Sequence, residues 1–164
     1  MIRGFVAADR LPVIELLRST GNFTAVEIGI AAELIDTILD QPAQQDYYAF
    51  VDAAGPDVTG FLLLGQTPAT AGTWDMYWIA VHPNHHGSGV ATALDCFAEA
   101  FVQSRGGYWI LAETSSQESY ARTRAFYRKR NYQVVARIPD YYRYNDDLIV
   151  FGKRLKPDGG AIEQ

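Results

Sequence analysis

Cysteine is almost missing from this 164-residue chain: Cys96 stands alone, so no intramolecular disulfide can form. Long hydrophobic runs are missing too. No apolar stretch approaches the ~18 to 20 residues of a membrane-spanning helix, and the first residues carry no signal-peptide pattern. Together these absences lead us to expect a reducing, cytoplasmic setting and no membrane partner. Basic excess is also lacking. Fourteen Lys and Arg face nineteen Asp and Glu, a formal net charge of −5 with His neutral. Without surplus positive charge a chain displaces phosphate counterions poorly, so no nucleic-acid partner is expected. The same balance suits a cationic substrate. Repeats and a second-domain boundary are absent as well. Residues 1–155 read as a single domain and 156–164 as a flexible tail.

What is present is enough to build a sizeable core: 48% of residues are hydrophobic and 20% charged. Taken in order, Ile2 to Val6 reads as a strand. A helix follows, capped by Asp9; it carries Leu11, Ile14, Leu16 and Leu17, with Pro12 near its start. A second helix runs from about Ala25 to Leu39, with Ile28, Ala31, Ala32, Ile35, Ile38 and Leu39 on one stripe. Tyr47 to Val51 and Val58 to Gly65 read as strands joined by a hairpin turn from Asp52 to Asp57, which contains Gly55-Pro56. Thr73 to Val81 is β-rich and nearly continuous in apolar residues, so it should be central.

Val90, Ala93, Leu94, Phe97, Ala98 and Phe101 recur at helical spacing, and Arg105-Gly106-Gly107 ends that helix. Tyr108 to Ala112 is a fifth strand. The next helix, capped by Ser115, Ser116 or Ser119, runs to about Arg130, with Asn131 suited to a left-handed cap. Tyr132 to Ile138 and Leu148 to Leu155 complete the set, joined by a connection from Pro139 to Asp147. The order is β-α-α-β-β-β-α-β-α-β-β. It predicts a mixed α/β fold with about seven strands and about four helices. The sheet should be antiparallel in its first half, with a parallel pair where a helix crosses over.

The organising stretch lies between the fourth strand and the third helix: His86-Gly87-Ser88-Gly89-Val90-Ala91-Thr92. A strand feeding a glycine loop at a helix start presents backbone N–H groups and the positive end of the helix dipole. Its natural guest is an anion, most often a phosphate. Neither a Rossmann reading nor a Walker A reading fits. The first lacks its third glycine, and the second lacks the Lys-Ser or Lys-Thr pair.

The chain resembles the GNAT superfamily of N-acetyltransferases. The resemblance rests on His86-Gly87-Ser88-Gly89-Val90-Ala91 for the acetyl-CoA pyrophosphate loop, Gln/Arg-x-x-Gly-x-Gly/Ala, with His86 where the family usually has Gln or Arg. It rests also on Phe126-Tyr127-Arg128-Lys129-Arg130-Asn131-Tyr132 for Phe-Tyr-x-x-x-Gly-Phe, and on the closing strand Asp146 to Leu155. It implies a GNAT-like central sheet and acetyl-CoA as cosubstrate, with no metal.

As cofactor contacts it implies backbone groups of Ile79, Ala80 and Val81 toward the pantetheine and of Gly87, Ser88, Gly89, Val90, Ala91 and Thr92 toward the pyrophosphate. His86 is included with them. Tyr127 matches the general acid toward the CoA thiolate, a role open to a phenol at neutral pH. The alternative for Tyr127 is a core residue of its helix. Asp75, on the strand that ends at Val81, is the first candidate base, and Glu113 ranks after it. A strand-edge carboxylate that merely attracts an ammonium is the competing reading for Asp75.

Glu27 and Glu33 are read as solvated helix charges. His82, His85 and His86 lie within five residues, but Pro83 and the loop's outward direction disfavour convergence on a metal. Cys96, inside the amphipathic helix, reads as a buried thiol. Tyr120 and Thr123 stand where family members often have Asn and Ala. Tyr141, Tyr142 and Tyr144 are expected either to wall an acceptor pocket or to pair two subunits as a homodimer. The expected activity is acetyl transfer to a primary amine, of a small molecule or a peptide, by direct attack in a ternary complex. Its rivals are a non-catalytic CoA-binding sensor and an acyltransferase that uses another acyl-CoA.

Overall fold

In the computed structural model, residues 1–155 are described; the expected flexible tail, 156–164, lies outside them. The strands are β1 (Ile2–Gly4), β2 (Tyr48–Ala54), β3 (Asp57–Gln66), β4 (Thr73–Val81), β5 (Trp109–Ser115), β6 (Gln133–Arg143) and β7 (Asp146–Arg154). They form one mixed sheet in the order β1-β2-β3-β4-β5-β7-β6. The helices are α1 (Arg10–Ser19), α2 (Ala25–Asp40), α3 (Val90–Ser104) and α4 (Ala121–Lys129). The pairs β1–β2, β2–β3, β5–β7 and β6–β7 are antiparallel, and β4–β5 is parallel. The parallel pair is the one that α3 connects, as expected for a helical crossover. No helix of the described residues is long and apolar enough to cross a membrane.

The chain divides into two compact units. The first comprises Met1–Gly65 and Met76–Ala98. In it α1 buries Val13, Leu16 and Leu17, and α2 buries Ala31 and Ile35, in one cluster with Val51, Phe61 and Leu63 of β2 and β3. Thr24 starts α2 with a reciprocal capping box. It accepts from the Glu27 N–H, while Glu27 accepts from the Thr24 N–H. Strand β2 continues to Ala54 and β3 starts at Asp57, so the hairpin turn is confined to Gly55-Pro56 rather than spanning Asp52 to Asp57, and Gly55 takes φ +63°. At Gly60 an added Cβ would meet Val90 Cγ1 at 2.7 Å and Leu94 Cδ1 at 2.8 Å. The first turns of α3 therefore lie directly on the β3 backbone, which fixes where that helix begins.

The second unit comprises Gln66–Asp75 and the chain from Glu99 onward. Phe101 packs edge-on against Trp74 at 5.8 Å. Gly107 allows the close approach of Trp74 and Val102, since a Cβ there would meet Trp74 Nε1 at 2.6 Å. Glu99 joins the elements of this unit by pairing with both Arg130 and Lys153. Helix α4 ends as its sequence predicts. Asn131 takes φ +65°, the Tyr132 N–H donates to the Tyr127 carbonyl at 2.9 Å, and the Asn131 N–H donates to the Arg128 carbonyl at 3.0 Å.

Several expectations are corrected. Asp9 does not cap α1. It is buried, held by the Arg3 guanidinium, and accepts from the Val6 N–H. The Arg3 hydrogen bonds outweigh burial and hold its carboxyl below the ordinary Asp range. Strand β5 continues to Ser115 rather than ending at Ala112. None of the three serines caps α4, which follows a 3-10 turn at Glu118–Tyr120. Ser115 instead donates to Asp146 and accepts from the Gln117 N–H, and Ser116 accepts from the Asp147 N–H.

Strand β6 runs through Pro139, Tyr141 and Tyr142 to Arg143, with a register shift after Ile138. Only Tyr144 and Asn145 form the turn. Every residue of β6 is exposed, so it lacks the alternating burial that a sequence pattern would report, and an edge strand tolerates proline. Cys96 is exposed, not buried, because it falls on the outer side of α3.

Candidate active site

The first unit contains the loop. After β4 the chain makes a 3-10 turn over Pro83–His85, extends at His86 and reaches Gly87 with φ +80° and Gly89 with φ +89°. These conformations favour glycine for backbone reasons alone, because an added Cβ at either position would meet nothing within 4 Å. The Ala93 N–H makes the first α-helical bond of α3, to the Gly89 carbonyl at 2.9 Å. The N–H groups of Val90, Ala91 and Thr92 precede that bond and belong to the outward-facing first turn. Gly87, Ser88, Gly89 and Thr92 are exposed, and no acidic residue occurs between Val81 and Leu94. The arrangement can receive a phosphate.

Of the strand-end residues, Ala80 is buried, Ile79 and Val81 are half-buried, and the Val81 carbonyl lies 3.1 Å from His86 Nε2. His82 accepts the Asn84 N–H on Nδ1 at 3.2 Å, and the His82 and His85 rings are 6.1 Å apart. Burial pushes the Asp52 carboxyl up, but Thr59, the Met1 ammonium and His85 together hold it below the ordinary Asp range. Among the described residues no three His, Cys, Asp or Glu side chains gather as a metal would need.

The second unit contains the carboxylates. Parallel pairing sets Asp75 opposite Leu111. Glu113 is two residues further along β5, so it faces the same side as Leu111. Thr67 Oγ1 donates to Asp75 Oδ2 at 2.7 Å. Glu113 holds its proton more tightly than an ordinary Glu, first because burial disfavours its charge and second because Asp75 carries a like charge. Part of Glu113 stays exposed, so solvent screens both effects.

Tyr127 is 4% exposed and belongs to an aromatic cluster. It stacks on Phe151 at 5.4 Å and meets Tyr132 edge-on at 5.1 Å. The structure thus joins Asp75 with Glu113, and His86 with Val81. Sequence reasoning missed Thr67, which lies in a Thr-, Ala- and Pro-rich loop with no periodic signal. It also missed Arg124, which donates to the carbonyls of Ser115 and Gln117. Asp95 was missed too: it is fully buried in α3 among residues that read as a plain apolar face.

The family model for the GNAT acetyltransferase domain matches residues 43–134. A solved structure from Desulfovibrio desulfuricans, assigned to the GNAT acetyltransferases, is 36% identical with a TM-score of 0.92, covering 95% of this chain and 99% of that one. The chain therefore belongs to the GNAT acetyltransferase family and is an N-acetyltransferase.

Lower identities show the fold alone. An aminoglycoside 6'-N-acetyltransferase complexed with coenzyme A is 19% identical, TM-score 0.72, with 96% of this chain and 98% of that one covered. The ribosomal-protein-S18-alanine N-acetyltransferase of Escherichia coli is 14% identical, TM-score 0.78, with 100% and 99% covered. Among proteins of curated function, none matches the chain.

Proposed function

We propose that this enzyme moves the acetyl group of acetyl-CoA to a primary amine by direct attack in a ternary complex. The observation that carries the reading is the pair of positive-φ glycines ahead of the first turn of α3. Backbone N–H groups from Gly87 to Thr92 then receive the pyrophosphate, and the backbone at Ile79, Ala80 and Val81 receives the pantetheine. The neutral amine attacks the thioester carbon and the C–S bond breaks. Tyr127 gives its phenolic proton to the departing thiolate. Asp75 and Glu113 are the two groups able to take the amine proton. Glu113 is the better base, because its raised proton affinity brings it closer to the working pH, whereas Asp75 already accepts from Thr67.

The acceptor class has two supports. Relatives in fold are named for an aminoglycoside and for the alanine of a ribosomal protein, both of which present amines. The net charge of −5 favours a cation. Thiol release from acetyl-CoA, with a panel of aminoglycosides and Ala-initiated peptides, tests the proposal. Amine-dependent release is expected. Tyr127→Phe keeps the ring against Phe151 and should lower kcat about 10- to 100-fold. If CoA binds but no amine stimulates release, a non-catalytic sensor is the correct reading. Comparing kcat/KM across acyl-CoA donors tests acetyl against longer acyl groups.

A further inference from the structure

At the tip of the loop nothing lies within 4 Å of an added Cβ at Gly87 or Gly89, and Ser88 bonds back to the His85 carbonyl through its N–H and its hydroxyl. The loop's direction must be set at its root, where a chain of hydrogen bonds is found. The His82 N–H donates to the Thr59 carbonyl at 2.9 Å, which ties the start of the loop to β3. The His85 N–H donates to the His82 carbonyl at 2.8 Å, and the His86 N–H donates to the Pro83 carbonyl at 3.1 Å. The His86 ring then reaches back five residues, with Nε2 3.1 Å from the Val81 carbonyl oxygen. A carbonyl has no hydrogen to give, so Nε2 donates and the ring carries its proton there. The imidazolium keeps that N–H as well, so the donor is present in either form of the ring. The bond closes a small circuit from the end of β4, around the 3-10 turn, to the residue before Gly87.

We propose that His86 is a positioning residue. Its ring N–H fixes the Val81 carbonyl, sets the direction in which the Gly87–Thr92 amides face, and so sets acetyl-CoA affinity without itself touching the phosphates. This rests on the reading of the loop as the pyrophosphate site, and it replaces a direct cofactor contact with an indirect one. A hydrogen bond of this kind is worth about a 3- to 10-fold effect.

The test has two independent readouts. In steady-state assays His86→Leu should raise the acetyl-CoA KM about 3- to 10-fold. The kcat and the amine KM should stay within about twofold of wild type, the pattern of lost uniform binding. His86→Gln offers a neutral N–H and should recover most of the loss. A merely structural role would instead lower the active fraction and leave KM unchanged. If His86→Leu keeps the wild-type KM, the proposal is overturned. The same holds if His86→Lys restores what His86→Gln does not, because that pattern means direct charge contact.

Nitrogen-15 NMR of the imidazole in wild-type protein needs no variant to fold. It should show His86 protonated at Nε2 when neutral, and an Nδ1–H tautomer overturns the clamp. Failure of the clamp and failure of the underlying reading are separable. If wild-type protein does not bind CoA, the pyrophosphate reading falls. If it binds CoA and the His86 variants bind equally well, only the positioning role falls.

Discussion

The loop before α3 and the carboxylate face of β4 and β5 illustrate two ways of building a site. At the loop the groups proposed to hold the phosphates are backbone N–H groups. What the sequence must supply there is permission for unusual φ at Gly87 and Gly89. At Asp75 and Glu113 the backbone is ordinary strand, and the useful property is the proton affinity of a carboxyl group. What the sequence must supply there is a charge beside another charge in partial burial. The lesson is practical. From Gly87 to Thr92, loop function should respond to changes of backbone freedom rather than of side-chain polarity, with the His86 ring N–H as the one polar side-chain group that matters at its root, whereas the strand face should respond to near-isosteric changes of charge.

Glu113→Gln should give the largest effect. It keeps shape and removes the proposed base, so kcat should fall about 100-fold while CoA affinity stays within about twofold. A fall in CoA affinity equal to the fall in kcat would erase the distinction between the two regions.

Gly107→Ala sharpens the comparison from the other side. Gly107 is needed for space, since Trp74 Nε1 would be 2.6 Å from the new methyl, whereas Gly89 is needed for conformation. Overpacking at Gly107 should cost about 1–3 kcal/mol, read as a lower Tm, without altering CoA affinity per folded molecule. Weakened CoA binding at constant Tm would contradict this assignment.

Asp75→Asn should have the smallest effect. It removes the like charge, so Glu113 should release its proton at a lower pH, an effect that solvent screening of the pair damps. The sign for stability follows. A carboxyl that holds its proton more tightly in the folded chain contributes stability at low pH, and loses it as pH rises through its folded pKa. Asp75→Asn should shrink that loss. Carbon-13 NMR titration of the Glu113 carboxyl measures the shift, and an upward or zero shift refutes the pairing.

Much of this was readable beforehand, for identifiable reasons. β4 announced itself with a dense apolar run, and its expected span from Thr73 to Val81 matches the observed strand. The start of α3 was visible because glycine precedes a 3.6-residue period. Asn131 was legible because few residues accept its φ of +65°. The failures share a cause as well. β6 is exposed along its whole length, so burial imposed no alternation on its residues, and its end at Arg143 was missed.

Asp9 reads as a helix cap in any local window. Its actual partner, Arg3, comes from the β1 side and is a tertiary fact. The exposure of Cys96 and the burial of Asp95 depend on which side of α3 meets the sheet, a rotation of one residue that hydrophobic periodicity does not resolve. At the candidate site, the motif singles out which residues to examine. It did not supply the hydrogen bond from Thr67 to Asp75 or the ring contact from His86 to Val81, because each ties an irregular segment to β4.

Calorimetric titration of CoA into wild-type protein and Gly89→Val, at matched folded fraction, tests most directly the claim that the loop backbone holds the donor. Valine at φ +89° is strained whatever the space around it. The prediction is binding by the wild type, weakened about 5- to 30-fold in the variant. Equal affinity in the two proteins would contradict it.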